Sequence, residues 1–173
     1  SAQVRGMFLV GQVEYLWAQA YPAGNAERKK HLDGSLKQFE ETIKQRPQTN
    51  VTFDGWVRKG MCLRDLAPLE PKPEGRDARY KAAMSAFESA LAAEVNDQTR
   101  PTRTEAYYEK ALTALQMGDY DGAASAADAF LRDYTGGKDS RHGQEGLLLK
   151  ARSLGKRAQQ LFARNEPGWE PLY

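Results

Sequence analysis

The 173-residue chain is poor in the residues that cross-link proteins, bind zinc or build β-strands. Its single cysteine, Cys62, has no partner for an internal disulfide, and two histidines, His31 and His142, are too few to complete a four-ligand Cys/His zinc site with it. One isoleucine and six valines stand against more than twenty alanines, whereas strands are usually rich in β-branched residues. The composition therefore predicts an all-α protein.

Long apolar runs and an excess of one charge are also lacking. The longest unbroken apolar stretches, such as Met7 to Val10, fall far short of the roughly 20 residues that cross a bilayer, so we expect no membrane span. The net charge is +2, and 40% of the residues are hydrophobic, which is enough for a packed core. The chain begins with Ser1, which predicts a processed terminus or a piece of a longer chain and leaves a cytoplasmic or a bacterial periplasmic location open.

The sequence does contain apolar residues at helical spacing, in seven segments separated by glycine, proline or short polar clusters. These segments predict three helical hairpins followed by one long helix. The helical domain is expected to cover residues 1–165, with hairpins at about 6–46, 52–95 and 102–134, a last helix at about 141–164, and a tail rich in proline and aromatic residues at 166–173. Three prolines, Pro68, Pro71 and Pro73, are expected to keep the connection within the second hairpin extended on the surface.

The hairpins share an internal repeat of roughly 40 to 50 residues. Large and small apolar residues keep one order along the second helices, with Phe39, Phe87 and Ala127 at one matching position. The first helices of the second and third hairpins and the last helix each carry a lysine followed by a small residue, as Lys59-Gly60, Lys110-Ala111 and Lys150-Ala151. We expect the small residue to lie where two antiparallel helices cross closely, because a side chain of one helix then needs a gap in the other.

One stretch, residues 106–135 (AYYEKALTALQMGDYDGAASAADAFLRDYT), resembles a complete tetratricopeptide repeat. The matching positions are Tyr107, Ala111, the turn Gly118-Asp119-Tyr120, Ala123 and Leu131. In degenerate form the resemblance extends over most of residues 6–155. It implies a right-handed α-solenoid of about three repeats, capped by the last helix, that acts as a scaffold for protein binding. Residues 131–154 are also similar to members of the family from the bacterial envelope.

In such a solenoid the first helices line a concave groove that binds a segment of a partner protein. The residues expected to point into this groove are Gln12, Tyr15, Met61, Arg64, Tyr108, Leu112, Arg152 and Lys156. Aromatic and methionine side chains would supply contact area, and the arginines would bind carboxylates of the partner. The alternative for each apolar residue is a place in the core between the helices.

A search for catalytic groups favours a protein without enzymatic activity. His31 and His142 lie in charged segments typical of solvated side chains, and Cys62 is expected to be a buried, inert thiol. Residues 136–140 (GGKDS) lack the leading glycine and the hydroxyl residue of a phosphate-binding loop. We therefore predict no catalytic residue, no metal and no cofactor.

The last helix suggests two further contacts. Leu147, Leu154 and Leu161 recur every seven residues, which predicts a narrow apolar seam against a neighbour. Basic residues beside this seam, such as Lys150 and Arg157, are typical of a nucleic-acid interface. The net charge from residue 135 onward is only +3, however, so a nucleic-acid partner is not favoured.

The favoured function is thus a scaffold that binds a protein segment, and two alternatives stay open. One is a part of a larger bacterial cell-envelope assembly protein, which a signal peptide and a lipidated cysteine in a longer sequence would indicate. The other is an accessory domain of a multidomain enzyme, which a catalytic domain outside these residues would indicate.

Overall fold

The structure, a computed structural model, describes residues 2–45, 49–137 and 139–164. These residues form α-helices and one short 3-10 helix and contain no strand, so the all-α prediction is confirmed. The helices are α1 (Ala2–Gln19), α2 (Ala26–Lys44), α3 (Asn50–Leu66), the 3-10 helix (Ala67–Leu69), α4 (Pro73–Leu91), α5 (Arg100–Met117), α6 (Tyr120–Asp133) and α7 (Arg141–Ala163). The predicted aromatic tail at 166–173 lies outside the described residues.

Local side-chain signals determine several helix ends. The side chain of Asn25 accepts a hydrogen bond from the first turn of α2, and Asp119 and Ser140 do the same for α6 and α7. Gly118 ends α5 with a φ of +79°, a conformation that side chains with a Cβ rarely adopt. No helix in the described part of the chain combines the length and the apolar character that a membrane crossing requires.

The proline-rich connection differs from its prediction. Pro68 lies within the 3-10 helix, where the neighbouring Ala67 is fully buried, and Pro73 is the first residue of α4. A proline at this position sacrifices no helical hydrogen bond, because the first N–H groups of a helix have no partner within it. The expected extended loop is therefore reduced to residues 70–72.

The helices pack in the order of the chain. Over the described ranges each helix packs extensively against the next one, and smaller contacts join α1 to α3, α3 to α5, and α5 to α7. The odd-numbered helices therefore lie side by side. The buried apolar residues form three clusters, and each cluster is shared by three consecutive helices: α1 to α3, α3 to α5, and α5 to α7.

Within two of the hairpins a phenylalanine ring packs directly onto a glycine of the partner helix. A Cβ added to Gly60 of α3 would lie 2.7 Å from Cζ of Phe87 in α4. A Cβ added to Gly11 of α1 would lie 2.8 Å from Cε1 of Phe39 in α2. These glycines thus provide the gap that the close helix crossing requires.

A second set of contacts connects each hairpin to the helix before it. The lysine of each first-helix pattern bonds to a carboxylate of the preceding even-numbered helix: Lys59 to Glu40 at 3.0 Å, Lys110 to Glu88 at 3.0 Å, and Lys150 to Asp128 at 2.7 Å. The three carboxylates directly follow the matching positions Phe39, Phe87 and Ala127. Because the pairs are partly exposed, each contributes about 0 to 1 kcal/mol, and their significance is the repeated register.

The buried face of α7 is not the predicted leucine seam. Leu147 is 41% exposed and Ala151 is exposed, whereas Gly146, Leu149 and Ser153 are buried. A Cβ on Gly146 would lie 2.6 Å from Cδ1 of Phe130 in α6, so these helices pack closely at this glycine. The other members of the predicted seam, Leu154, Ala158 and Leu161, are half-buried, so the seam is covered only in part among the described residues. Leucine spacing ignores the small residues through which helices approach closely.

The buried Cys62 leads to a first testable prediction. The side chain is fully buried and its Sγ lies 3.3 Å from Oγ of Ser35, and burial raises the pKa of the thiol to about 12. Because the thiolate is the reactive form, we expect the folded protein to resist the thiol reagent DTNB at about pH 8 and to react fully in denaturant. Rapid reaction of the folded protein would contradict this placement.

Candidate functional site

A cleft of about 700 Å³ lies between the first half of α5, the C-terminal end of α6 and the N-terminal end of α7. Apolar and aromatic side chains form one wall, and carboxylates approach from α5, α7 and the segment before α5. A concave site of this size that combines apolar area with a few polar groups is the usual form of a binding pocket.

The aromatic wall is a continuous series of four rings. The ring of Tyr108 on α5 lies 5.5 Å from that of Phe130, and Phe130 stacks on Tyr134 at 5.3 Å with an angle of 14° between the ring planes. The edge of His142 on α7 follows at 6.3 Å from Tyr134. Phe130, in the middle of the series, is 4% exposed, whereas Tyr108 and Tyr134 are half-buried and His142 is exposed, so a ligand would reach mainly these three rings.

The turn between α6 and α7 brings the last two rings together. Gly137 has a φ of +81°, which allows the chain to reverse within a few residues. Oγ of Ser140 then donates to the hydroxyl of Tyr134 at 3.1 Å and also accepts from the backbone N–H of Gly143. The turn thus fixes Tyr134 at one end of the cleft while α7 begins beside it.

The charged groups that line the cleft are mostly acidic. Four carboxylates line it, those of Asp97, Glu105, Glu109 and Glu145, whereas Arg100 contributes the one arginine or lysine among its described lining residues. All four carboxylates have a cationic partner: Arg58 donates two hydrogen bonds to Glu105, Arg64 donates to Glu109, Arg100 lies 4.0 Å from Asp97, and Arg141 donates to Glu145. A ligand in the cleft would meet aromatic rings and these paired carboxylates.

Glu145 is held in its charged form at the rim of the cleft. Nδ1 of His142 lies 3.0 Å from one of its oxygens, and Nε of Arg141 donates to the other at 3.1 Å. These hydrogen bonds hold the pKa of Glu145 below its ordinary value. Glu145 therefore stays ionised below neutral pH, in an ion pair with Arg141.

Behind the cleft, a polar network joins α1, α3 and α5. Arg64 of α3 donates to Glu109 of α5 and also to Asp65, whose second oxygen accepts from the hydroxyl of Tyr15 on α1 at 2.7 Å. Burial disfavours the charged guanidinium, but Glu109 and Asp65 more than offset it and raise the pKa of Arg64. For the acidic groups Tyr15 and Glu109, burial also disfavours the charged form and therefore raises the pKa.

The structure separates the eight residues predicted to line a groove. Tyr15 and Arg64 belong to the polar network, whereas Tyr108 lines the cleft. Met61 and Leu112 pack against the core, and Gln12 is half-buried on α1. Arg152 and Lys156 are exposed and line a separate depression of about 410 Å³ together with Leu115 and Tyr120.

Several cleft residues were not predicted from the sequence. Phe130 and Tyr134 lie at or just after the end of α6, a helix that was expected to form the outer wall. His142 is exposed, as expected of a solvated side chain, but it also lines the cleft. The useful signal was the glycine pair at positions 136 and 137, because a tight turn brings the aromatic residues on its two sides together.

In the described part of the chain, no group of three or more histidine, cysteine or acidic side chains is placed to hold a metal ion. No family model matches the chain, and no curated protein and no solved structure matches it either.

Proposed function

We propose that the chain is a non-enzymatic α-solenoid of tetratricopeptide type that binds a segment of a partner protein. Three features support the solenoid: packing in chain order, side-by-side contact of the odd-numbered helices, and the recurring lysine–carboxylate pairs. The binding role rests on one observation, which is the cleft that opens beside α5 and α7 with four aromatic rings and four carboxylates in its lining.

The chemistry of the cleft favours a basic partner segment. A lysine or arginine side chain can place its apolar stem and its cation against aromatic rings while its nitrogens bond to carboxylates. Arg64 was expected to bind a carboxylate of the partner. Because it is bonded to Glu109 and Asp65, its role in this proposal is to hold α3 and α5 together and not to contact the partner. Arg152 and Lys156 would extend the contact toward acidic positions of the segment.

Selection from a library of random dodecapeptides displayed on phage tests this function. We expect the immobilised protein to enrich peptides that contain arginine or lysine. Their affinity should fall about tenfold or more in the double variant Asp97→Lys/Glu145→Lys, because that variant places cations at the rim of the cleft. The matched control is Glu74→Lys/Asp77→Lys, which makes the same charge change at exposed positions of α4.

The control variant is expected to bind the selected peptides as the natural chain does. Failure to enrich any peptide would contradict the binding function. Enrichment of acidic peptides, or equal losses in the two double variants, would contradict the assignment of the cleft.

A further inference from the structure

Each internal contact between hairpins uses the same stripe of positions on an odd-numbered helix. On α3 the stripe consists of Gly55, Lys59, Cys62 and Leu66. All four positions meet α2: a Cβ on Gly55 would lie 3.3 Å from Ile43, Lys59 pairs with Glu40, Cys62 lies beside Ser35, and Leu66 clusters with Leu32. The stripe therefore contains a small residue, a lysine, a small buried residue and a larger residue.

The same stripe recurs on α5 and α7. Its members are Ala106, Lys110, Thr113 and Met117 on α5, and Gly146, Lys150, Ser153 and Arg157 on α7. The third position, which is Cys62, Thr113 or Ser153, is fully buried in every case. The lysine pairs each time with the carboxylate at the equivalent position of the preceding helix. The covering element is thus always an even-numbered helix.

Helix α1 carries the equivalent stripe without a covering helix among the described residues. Gly11 of α1 and Gly60 of α3 are equivalent, because each receives a phenylalanine ring of the other helix in its hairpin. Counting from Gly11 as the stripe of α3 is counted from Gly60, the stripe of α1 consists of Gly6, Val10, Val13 and Trp17. A Cβ on Gly6 would meet no atom within 4 Å. Val10 and Val13 are each 49% exposed, and Trp17 is 56% exposed.

The stripe of α1 also differs chemically from the internal stripes. Val10 replaces the lysine that every internal stripe contains. In the internal contacts the carboxylates of Glu40, Glu88 and Asp128 stay 40% to 62% exposed, and each has a lysine partner. A carboxylate opposite Val10 would lose part of its hydration without gaining a cation, whereas an apolar side chain there would gain from burial.

We propose that this stripe of α1 is a docking surface for a partner helix of the α2, α4 and α6 type. The internal contacts identify this occupant, because an even-numbered helix covers the equivalent stripe three times in the same molecule. This partner helix carries an apolar residue at the position that Glu40 occupies in α2, Glu88 in α4 and Asp128 in α6. The surface is separate from the cleft and does not depend on the function proposed for it.

A helical peptide copied from α4 provides the probe. Residues 73–95 are synthesised with a fluorescent label and with a hydrocarbon staple between positions 78 and 82, which are exposed and one helical turn apart, because a free helix of this length is only marginally stable. One peptide keeps Glu88 and the other carries Glu88→Leu. Affinity for the full chain is measured by fluorescence anisotropy.

The natural chain is expected to bind the Glu88→Leu peptide about tenfold more tightly than the unsubstituted peptide. The protein variant Val10→Lys is expected to reverse this order, since it restores the lysine of the internal stripes. The control Leu148→Lys, at a residue of α7 that is 49% exposed, should leave both affinities unchanged.

Three results would overturn the proposal. The first is that neither peptide binds the natural chain. The second is that Val10→Lys leaves the preference between the peptides unchanged. The third is that the chain self-associates in analytical ultracentrifugation, that Val10→Lys abolishes this association, and that the peptides do not compete with it. The occupant of the stripe would then be a second copy of this chain. All three results leave the phage selection at the cleft unaffected.

Discussion

Replacing Arg64 with methionine is expected to lower the free energy of unfolding by about 3 to 5 kcal/mol. The side chains of Arg64 and Glu109 are 9% and 10% exposed, so solvent screens their interaction weakly. Arg64 also donates to Asp65, and its loss leaves two carboxylates without their cation. Urea unfolding at about pH 7, followed by circular dichroism, measures the loss.

A second substitution and a change of pH separate this cause from a simple loss of packing. The double variant Arg64→Met/Glu109→Leu is expected to recover much of the lost stability, because no charge is then buried at position 109. In the single variant, burial raises the pKa of Glu109 with no opposing cation nearby. The folded state then holds the proton more tightly than the unfolded state, so stability falls as pH rises between the two pKa values.

The loss of unfolding free energy caused by Arg64→Met should therefore be smaller near pH 4.5 than near pH 7. A deficit that is equal at both pH values, or a double variant no more stable than the single one, would show that the buried ion pair is not the cause.

The substitution Gly60→Ala is expected to lower the free energy of unfolding by about 1 to 3 kcal/mol. The added Cβ would lie 2.7 Å from Cζ of Phe87, whose side chain is fully buried among those of α3, α4 and α5. The two helices must then separate or the ring must leave its rotamer. Thermal or urea unfolding measures the change.

Gly155→Ala on α7 is the matched control, because a Cβ there would meet nothing within 4 Å. Alanine loses less backbone freedom than glycine when a helix forms, so this variant should gain about 0.5 to 1 kcal/mol. The two glycine-to-alanine changes are therefore expected to have opposite signs. A gain in stability at both positions would contradict the packing of Phe87 onto Gly60.

The fold class was accessible from the sequence because its signals are local. The scarcity of β-branched residues predicts helices, and Gly118 ends a helix where its conformation requires glycine. The recurring lysine was also visible, but its role was not. Lys59 bonds to a residue of another helix, and a sequence pattern does not reveal which carboxylate lies opposite a given lysine.

The candidate site was predictable only where one helix supplies it. Tyr108 was predicted from the first-helix pattern of α5, whereas Tyr134 and His142 enter the cleft across a turn whose geometry the sequence did not specify. Arg64 was predicted to bind a partner because it occupies a first helix. Burial beside Glu109 is a property of the packed helices, and a single helix does not show it. The binding roles of Arg152 and Lys156 remain predictions.

The uniform stripes between hairpins make these units interchangeable at their boundaries. A tandem duplication of residues 50–99 would place a second copy of Lys59 opposite Glu88, which already accepts a lysine in the natural chain, and would place Lys110 opposite the duplicated Glu88. Such a gene duplication would lengthen the array without any new pairing of charges. A chain of this design can therefore acquire or lose whole units by recombination while every junction stays chemically matched.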